Sequence, residues 1–299
     1  MPQNWDDIRF FLALTRAQSF VAAANLLNVT HSTVSRRISA LETTLKTQLF
    51  LRTEKGCKLT SAGEKLLPYA EALETTMLGL SEQVSGQNRR LSGTVRIGTP
   101  DGLGNCFLAQ YLSTFQQQHP NLEIELIAVP MYYSLAKREV DILVTVRKPQ
   151  NQNVITRKIT DYKLGLFATQ DYLDRHPPIA TKEDLPNQRF VSYIDDLLYD
   201  ETLRFLDEFV PNLKVHFRSS TVYGQMNAVI AGAGIGVIPY FMAHGDRSLV
   251  PVLPQHFCRR AFWLQLNQDS RQLARVRSTI DFIVQAIEAN NTKFLELPQ

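Results

Sequence analysis

On the stretch from His31 to Arg37 the chain sets His31, Ser32, Thr33, Ser35, Arg36 and Arg37 close together. Small hydroxyl and imidazole groups hydrogen-bond base edges, and guanidinium groups beside them bind phosphate. That is the chemistry of a helix N-terminus laid into the major groove of duplex DNA. A solvated helical face is the alternative for any one of these side chains. Charge supports the first reading. From Thr30 to Lys58 the basic residues Arg36, Arg37, Lys46, Arg52, Lys55 and Lys58 face only Glu42 and Glu54, a local surplus of four against a whole-chain net charge of +3. The rest of the 299 residues is therefore close to neutral, and one module carries the affinity for a polyanion.

A second set of polar residues falls where an open α/β sheet binds small molecules, at the C-terminal ends of strands. Gly98-Thr99-Pro100-Asp101-Gly102 joins an apolar strand to a helix N-terminus, whose free N–H groups attract carboxylates. Thr99 and Pro100 are candidate contacts there, with a plain helix cap as the alternative for Thr99. Asp101 argues against a strongly anionic ligand at that spot unless it points to solvent. Thr145 and Arg147 end another strand, and Arg147 either pairs a carboxylate bidentately or makes a surface salt bridge. Tyr193, Ser219 and Ser220 occupy equivalent positions further along.

Other chemistries find no support. The three cysteines, Cys57, Cys106 and Cys258, lie far apart without a C-x-x-C pair, and the six histidines lack ligand spacing, so neither a disulfide framework, a zinc site nor a cofactor is expected. Cys106 and Cys258 read as unreactive thiols rather than a redox pair. No G-x-S-x-G or Walker A sequence occurs, and the glycines of Gly232, Gly234 and Gly236 follow a helix and lack dinucleotide-binding order, so they read as helix termination and close packing. Asp195-Asp196 reads as a solvated loop pair. With no basic-then-apolar leader and no run of about 18 apolar residues, a cytoplasmic protein is expected.

The elements that position these residues follow from periodicity. Ile8, Phe11 and Leu12 mark a first helix, and Phe20, Ala23, Ala24 and Leu27 a second. A turn at Asn28-Val29 leads to a third, capped by Thr30 or Ser32, with the stripe Val34, Ile38, Leu41 and Leu45. Leu49 to Leu51, the turn Glu54-Lys55-Gly56 and Cys57 to Leu59 form a small β-wing. A long helix then starts with Ser61 and Glu64 spaced as a capping box. Its apolar positions Leu66, Ala70, Leu73, Met77, Leu80 and Val84 make a coiled-coil seam that a second chain would cover, before Ser85-Gly86-Gln87-Asn88 ends it.

Beyond Leu91 strands and helices alternate. Strands are expected over 94–99, 122–129, 140–146, 163–169, 190–194, 214–219, 236–238, 249–253 and 262–266. Helices are expected up to His119 and over 131–138, 222–231 and the stripe from Leu273 to Ile287. Chain crossings near 161–164 and 264–267 would divide this region into two lobes.

The N-terminal segment resembles the DNA-binding end of a LysR-type transcriptional regulator. The resemblance rests on Phe10-Phe11, Ser19-Phe20, Ala22 to Ala24, Leu27, Ser32, Val34-Ser35-Arg36, Ile38, Leu41-Glu42, Leu49-Phe50, Arg52, Leu59-Thr60 and Ala62-Gly63. His31 stands where the family commonly has Gln. The segment Ala231 to Gly236 followed by Pro239 is similar to one in the family's effector domain. The resemblance implies an α/β chain in three parts: a winged helix-turn-helix over 1–58, a linker and dimerisation helix over 59–90, and an effector domain over 93–299. That last part would have the fold of type 2 periplasmic solute-binding proteins, with lobe I formed by 93–162 and 267–299 and lobe II by 163–266. It further implies a small-molecule effector between the lobes, operator DNA and RNA polymerase as partners, tetramers built from two dimers, and no enzymatic activity. A solute-binding module with a merely anchoring N-terminus, and an α/β enzyme, are the rival classes.

Overall fold

The computed structural model describes residues 5–53, 56–84, 91–129, 135, 139–149, 154–211, 213–266 and 270–298. The chain divides into two compact units, 1–87 and 88–299.

In the first unit α1 (Trp5–Ala17), α2 (Phe20–Leu27) and α3 (His31–Leu45) enclose Phe11, Leu12, Ala23, Ala24, Val34, Ile38 and Leu41. Thr30 caps α3: its Oγ1 accepts the N–H of Thr33 at 3.3 Å, so the choice between Thr30 and Ser32 falls to the residue just outside the helix. The wing pairs β1 (Phe50–Thr53) antiparallel with β2 (Gly56–Leu59), Phe50 opposite Leu59. Leu49, expected to open the strand, is instead buried in the core. Gly56 has φ +125°, and a Cβ there would lie 2.4 Å from the carbonyl oxygen of Gln18, so glycine alone lets the wing meet the turn between α1 and α2.

The long helix α4 (Ser61–Val84) is capped by Thr60, whose Oγ1 accepts the N–H of Gly63 at 3.1 Å. The cap thus falls one residue before the expected Ser61, and Gly63, three residues on, has no side chain to complete a box. Along its seam Ala70 is fully buried in the first unit, whereas Leu73 and Met77 are 47% and 44% exposed. The side chains of Leu80 and Val84, and the stop at 85–88, lie outside the described residues.

The second unit is built on an eight-stranded sheet. Its elements in chain order are β3 (Gly93–Thr99), α5 (Asp101–Leu103), a π-helical turn (Gly104–Leu108), α6 (Ala109–Gln118), β4 (Leu122–Ala128), β5 (Ile142–Thr145) and β6 (Ile155–Thr169). There follow α7 (Gln170–Arg175), β7 (Phe190–Tyr193), α8 (Leu206–Phe209), β8 (Val215–Ser219), α9 (Val222–Ile230), β9 (Ile235–Pro239), α10 (Tyr240–Ala243), β10 (Leu249–Leu266), α11 (Ala274–Ala289) and α12 (Asn291–Leu295). The order across the sheet is β4-β3-β5-β10-β6-β9-β7-β8. β3 runs parallel to β4 and β5, β7 runs parallel to β8 and β9, and the antiparallel pair β6 and β10 joins these two groups.

The strands expected at 249–253 and 262–266 are one 18-residue strand, and the one expected at 163–169 begins at Ile155. Exposed Gln255 and Arg259 and half-buried His256 interrupt the apolar pattern of β10 without ending its ladder, which shifts register between Val252 and Phe257 and between Phe262 and Trp263. The helix expected over 131–138 falls on residues that, Leu135 apart, lie outside the description. Gly232, at φ +80°, ends α9 with its N–H donating to the carbonyl of Val229 at 2.9 Å, which accounts for that glycine as a helix stop.

Candidate nucleic-acid interface and effector cleft

At the start of α3, His31, Ser32 and Arg36 are exposed while Thr33 and Ser35 are half-buried. The His31 ring packs edge-on against Phe20, with centroids 5.6 Å apart, which fixes this end of α3 on α2. The Thr30 hydroxyl lies 3.0 Å from Ser32 Oγ and 2.9 Å from Thr33 Oγ1. Among the described residues no carboxylate pairs with Arg36. Arg37 differs: its guanidinium lies 3.1 Å from Asp7 Oδ1 and 3.3 Å from Asp6 Oδ2 and over the ring of Phe10, all on α1. The two neighbouring arginines thus face different work, Arg36 toward solvent and Arg37 toward the helix behind. Arg52 lies on β1 opposite Cys57, its side chain outside the description, and Lys55 is not among the described residues.

Glu42, read in the sequence as a negative charge and as one of the residues carrying the resemblance, accepts the backbone N–H groups of Leu49 at 2.7 Å and Phe50 at 3.3 Å. It ties the end of α3 to the wing. Phe50 in turn packs on Phe11 with ring centroids 5.4 Å apart.

In the second unit a cavity of about 180 Å³ brings together Thr99, Pro100, Thr145 and Arg147 with Leu143, Val146, Tyr199, Asp200 and Gln265. Thr145 Oγ1 donates to the carbonyl of Arg147 at 2.9 Å and accepts from Gln265 Nε2 at 2.9 Å. Arg147 Nε lies 3.6 Å from Asp200 Oδ2. Asp200 is buried and also accepts the N–H and the hydroxyl of Thr202 at 2.9 and 2.7 Å.

The other three candidates stand apart from this cavity. Tyr193 lines a separate gap of about 20 Å³ with Pro100, Asp101, Tyr162, Tyr199 and Phe262. Burial holds its hydroxyl well above the ordinary tyrosine range, so it is a neutral donor or acceptor. Ser219 Oγ accepts the N–H of Thr221 at 3.3 Å in the turn before α9, and neither it nor Ser220 lines the cavity.

Asp101 points inward. It is 2% exposed, and its Oδ2 accepts the N–H of Tyr223 at 3.1 Å, while the backbone N–H groups of Val222, Gly102 and its own residue also favour its charged form. Burial outweighs these donors and raises its pKa. Desolvation likewise pushes Cys106 up to about 11 and Cys258 up to about 12, which leaves both thiols protonated and poorly nucleophilic at neutral pH. Asp195 and Asp196 are exposed, as expected of a solvated pair, and Asp195 in addition receives Arg218 at 2.9 Å and Arg204 at 3.6 Å.

Two family profiles match the chain along nearly its whole length. The bacterial regulatory helix-turn-helix of the lysR family covers residues 5–64, and the LysR substrate binding domain covers residues 88–288. The chain belongs to the LysR family of transcriptional regulators. Among curated LysR-type relatives, the HTH-type transcriptional regulator HdfR of Escherichia coli is 33% identical over 278 residues, 90% of this chain and 94% of that protein. PtxR of Pseudomonas aeruginosa is 25% identical over 257 residues, 84% and 82% of the two chains. Solved full-length structures share the fold. OxyR from Pseudomonas aeruginosa aligns over 96% of this chain and 98% of its own with a TM-score of 0.70 and 16% identity. LysG from Corynebacterium glutamicum, with its effector Arg bound, aligns over 96% and 99% with a TM-score of 0.65 and 20% identity.

As a LysR-type regulator the protein is not an enzyme, and its family binds DNA and small-molecule effectors and forms oligomers. Among the described residues no helix is long and apolar enough to cross a membrane. Within this LysR-type chain, sequence reasoning missed Asp200, Tyr199 and Gln265. They come from a loop and a distant strand, and only the pairing of Trp263 to Leu266 with Ile142 to Thr145 brings Gln265 beside Thr145.

Proposed function

We propose that the protein reads a partly palindromic operator as a dimer, with His31, Ser32, Thr33 and Ser35 at base edges and Arg36, Arg52 and Lys55 on phosphates. Arg37 acts behind the interface by bracing α3 on α1. The observation that carries this reading is the division of labour at the head of α3: Arg36 is exposed while Arg37 is engaged by Asp6 and Asp7. Residues 1–58 form the DNA-binding part, 59–90 the linker, and 93–299 the effector part, with lobes over 93–162 with 267–299 and over 163–266. Exposed Leu73 and Met77 supply the dimer seam, and two dimers join as a tetramer that addresses RNA polymerase in the cytoplasm. The effector lies in the cavity lined by Thr99, Pro100, Thr145 and Arg147, and its preference for one lobe arrangement shifts the spacing of the DNA-binding pairs.

The test is retention of a DNA fragment from the region upstream of the protein's own gene. Retention is expected at low salt and is expected to fall steeply with salt, each neutralised phosphate adding about −0.9 to the log–log slope. No retention at low salt refutes the reading.

A further inference from the structure

The first turn of α9 leaves N–H groups without helical partners. Thr221 Oγ1 takes that of Gly224 at 3.0 Å, an ordinary local cap. The N–H of Tyr223 goes instead to Asp101, 122 residues earlier in the chain and attached to the other group of parallel strands. That bond ties the buried carboxylate to the opposite half of the unit, and the backbone N–H groups of Val222, Gly102 and Asp101 itself favour its charged form against the burial that opposes it. Two further features build this meeting point. A Cβ on Gly102 would lie 2.7 Å from Val222 Cγ1 and 2.8 Å from Met242 Sδ, so the bare glycine is what lets the turn come this close to α9. Pro100, Val146 and Tyr199 line both the gap around Asp101 and the adjoining cavity of about 180 Å³.

Converging N–H groups at a helix N-terminus are where a ligand's anionic group is ordinarily held. Here the chain supplies that group. We propose that Asp101 is a tethered stand-in for a ligand anion: it fills the anion position at the head of α9 and selects, in the adjoining cavity, effectors whose end facing Pro100 and Tyr199 is uncharged or cationic. This rests on the reading of that cavity as the effector site. A second carboxylate brought to this end would meet a like charge and find its donors already taken. Any acidic group of the effector must turn the other way, toward Arg147.

The experiment compares thermal unfolding of the full-length protein and its Asp101→Ala variant in sodium formate, formamide and sodium chloride. Formate is expected to raise the midpoint of D101A saturably, by a few degrees, with no response to formamide or chloride and none from the wild type. Equal effects of formate and formamide on D101A, or an equal response of the wild type to formate, overturn the proposal. If D101A does not fold, Asp101→Asn keeps the shape and removes the charge. Faster amide exchange at Val222 and Tyr223 is then expected, and unchanged protection overturns the proposal. DNA retention by the wild type is measured on the same preparation. Lost rescue with intact retention refutes the role of Asp101 alone, whereas rescue without retention refutes the functional reading alone.

Discussion

The guanidinium of Arg37 is held between Asp7 and Asp6, 3.1 and 3.3 Å away, and covers the ring of Phe10, while the adjacent Arg36 is exposed. One residue of helical advance turns the side chain by about 100°, enough to separate a brace from a contact. Arg37→Ala is therefore expected to destabilise the N-terminal unit by about 1 kcal/mol, a modest figure because the pair is partly solvated. Arg36→Ala is expected to leave stability unchanged, weaken DNA binding across all sequences and reduce the salt slope by about 1. Urea unfolding and salt-dependent DNA retention of the two variants check this, and an unaltered salt slope for R36A refutes the assignment.

Glu42 receives two backbone N–H groups at the root of the wing. Glu42→Ala leaves Leu49 and Phe50 with donors in a buried setting, at an expected cost of about 1–3 kcal/mol. Proteolysis within the wing should accelerate in E42A before the rest of the protein becomes susceptible. Equal susceptibility of variant and wild type would show that the wing holds without the carboxylate.

Gly102→Ala forces a methyl group against Val222 and Met242, contacts too short to keep. Overpacking of this kind costs about 1–3 kcal/mol, or roughly 2–4 °C per kcal/mol for a domain of this size. The midpoint of the effector unit should fall accordingly, and Gly102→Ser should do no better. A wild-type midpoint for G102A refutes the close approach.

Asp101 gives stability a pH dependence of unusual sign. Its folded pKa lies above the unfolded value near 3.9. Between the two values the folded state keeps a proton that the unfolded state has lost, so stability falls as pH rises through that window. Tyr193 and Cys106, the titratable groups facing Asp101, are themselves raised and stay neutral throughout. Asp184 and Asp246 are lowered and act in the opposite direction, but they are common to wild type and Asp101→Asn and cancel in the comparison. The stability of wild type relative to D101N should therefore decline from about pH 4 upward, measured by urea midpoints. A difference independent of pH refutes it.

Cys106 and Cys258, at about 11 and about 12, should react with a thiol reagent at neutral pH far more slowly than a free cysteine near 8.5. Labelling followed by peptide mapping checks each site. Rapid modification of either residue in the folded protein, or DNA retention that responds to mild peroxide through them, refutes this.

Much of the N-terminal unit was legible because its signals are local. Helix stripes, the Thr30 cap and the wing strands are each set within a few residues of sequence, and errors there were shifts of one position, as at Thr60. The cleft was legible only in part. Thr99, Pro100, Thr145 and Arg147 end strands and do share a cavity, since sheet topology alone places strand ends together. Tyr193, Ser219 and Ser220 end strands too, yet they belong to the other side of the antiparallel pair, where sequence carries no measure of how far the two groups of strands lie apart. The direction of Asp101 depended on a helix 122 residues away, and the unity of β10 was hidden by its exposed polar middle.

β6 and β10 remain hydrogen-bonded to each other from Leu249 with Thr169 to Leu266 with Ile155, apart from the two register shifts. The two parallel halves of the sheet are therefore coupled by a ladder-paired ribbon, which resists stretching and yields to torsion. Its two irregularities lie between Val252 and Phe257, where β10 bulges away from β6, and between Phe262 and Trp263, just before β10 takes up its pairing with β5. On the proposed reading of the cleft, its occupancy would turn one half about the ribbon axis, and the angle of that twist would be the quantity to be converted into a change on DNA.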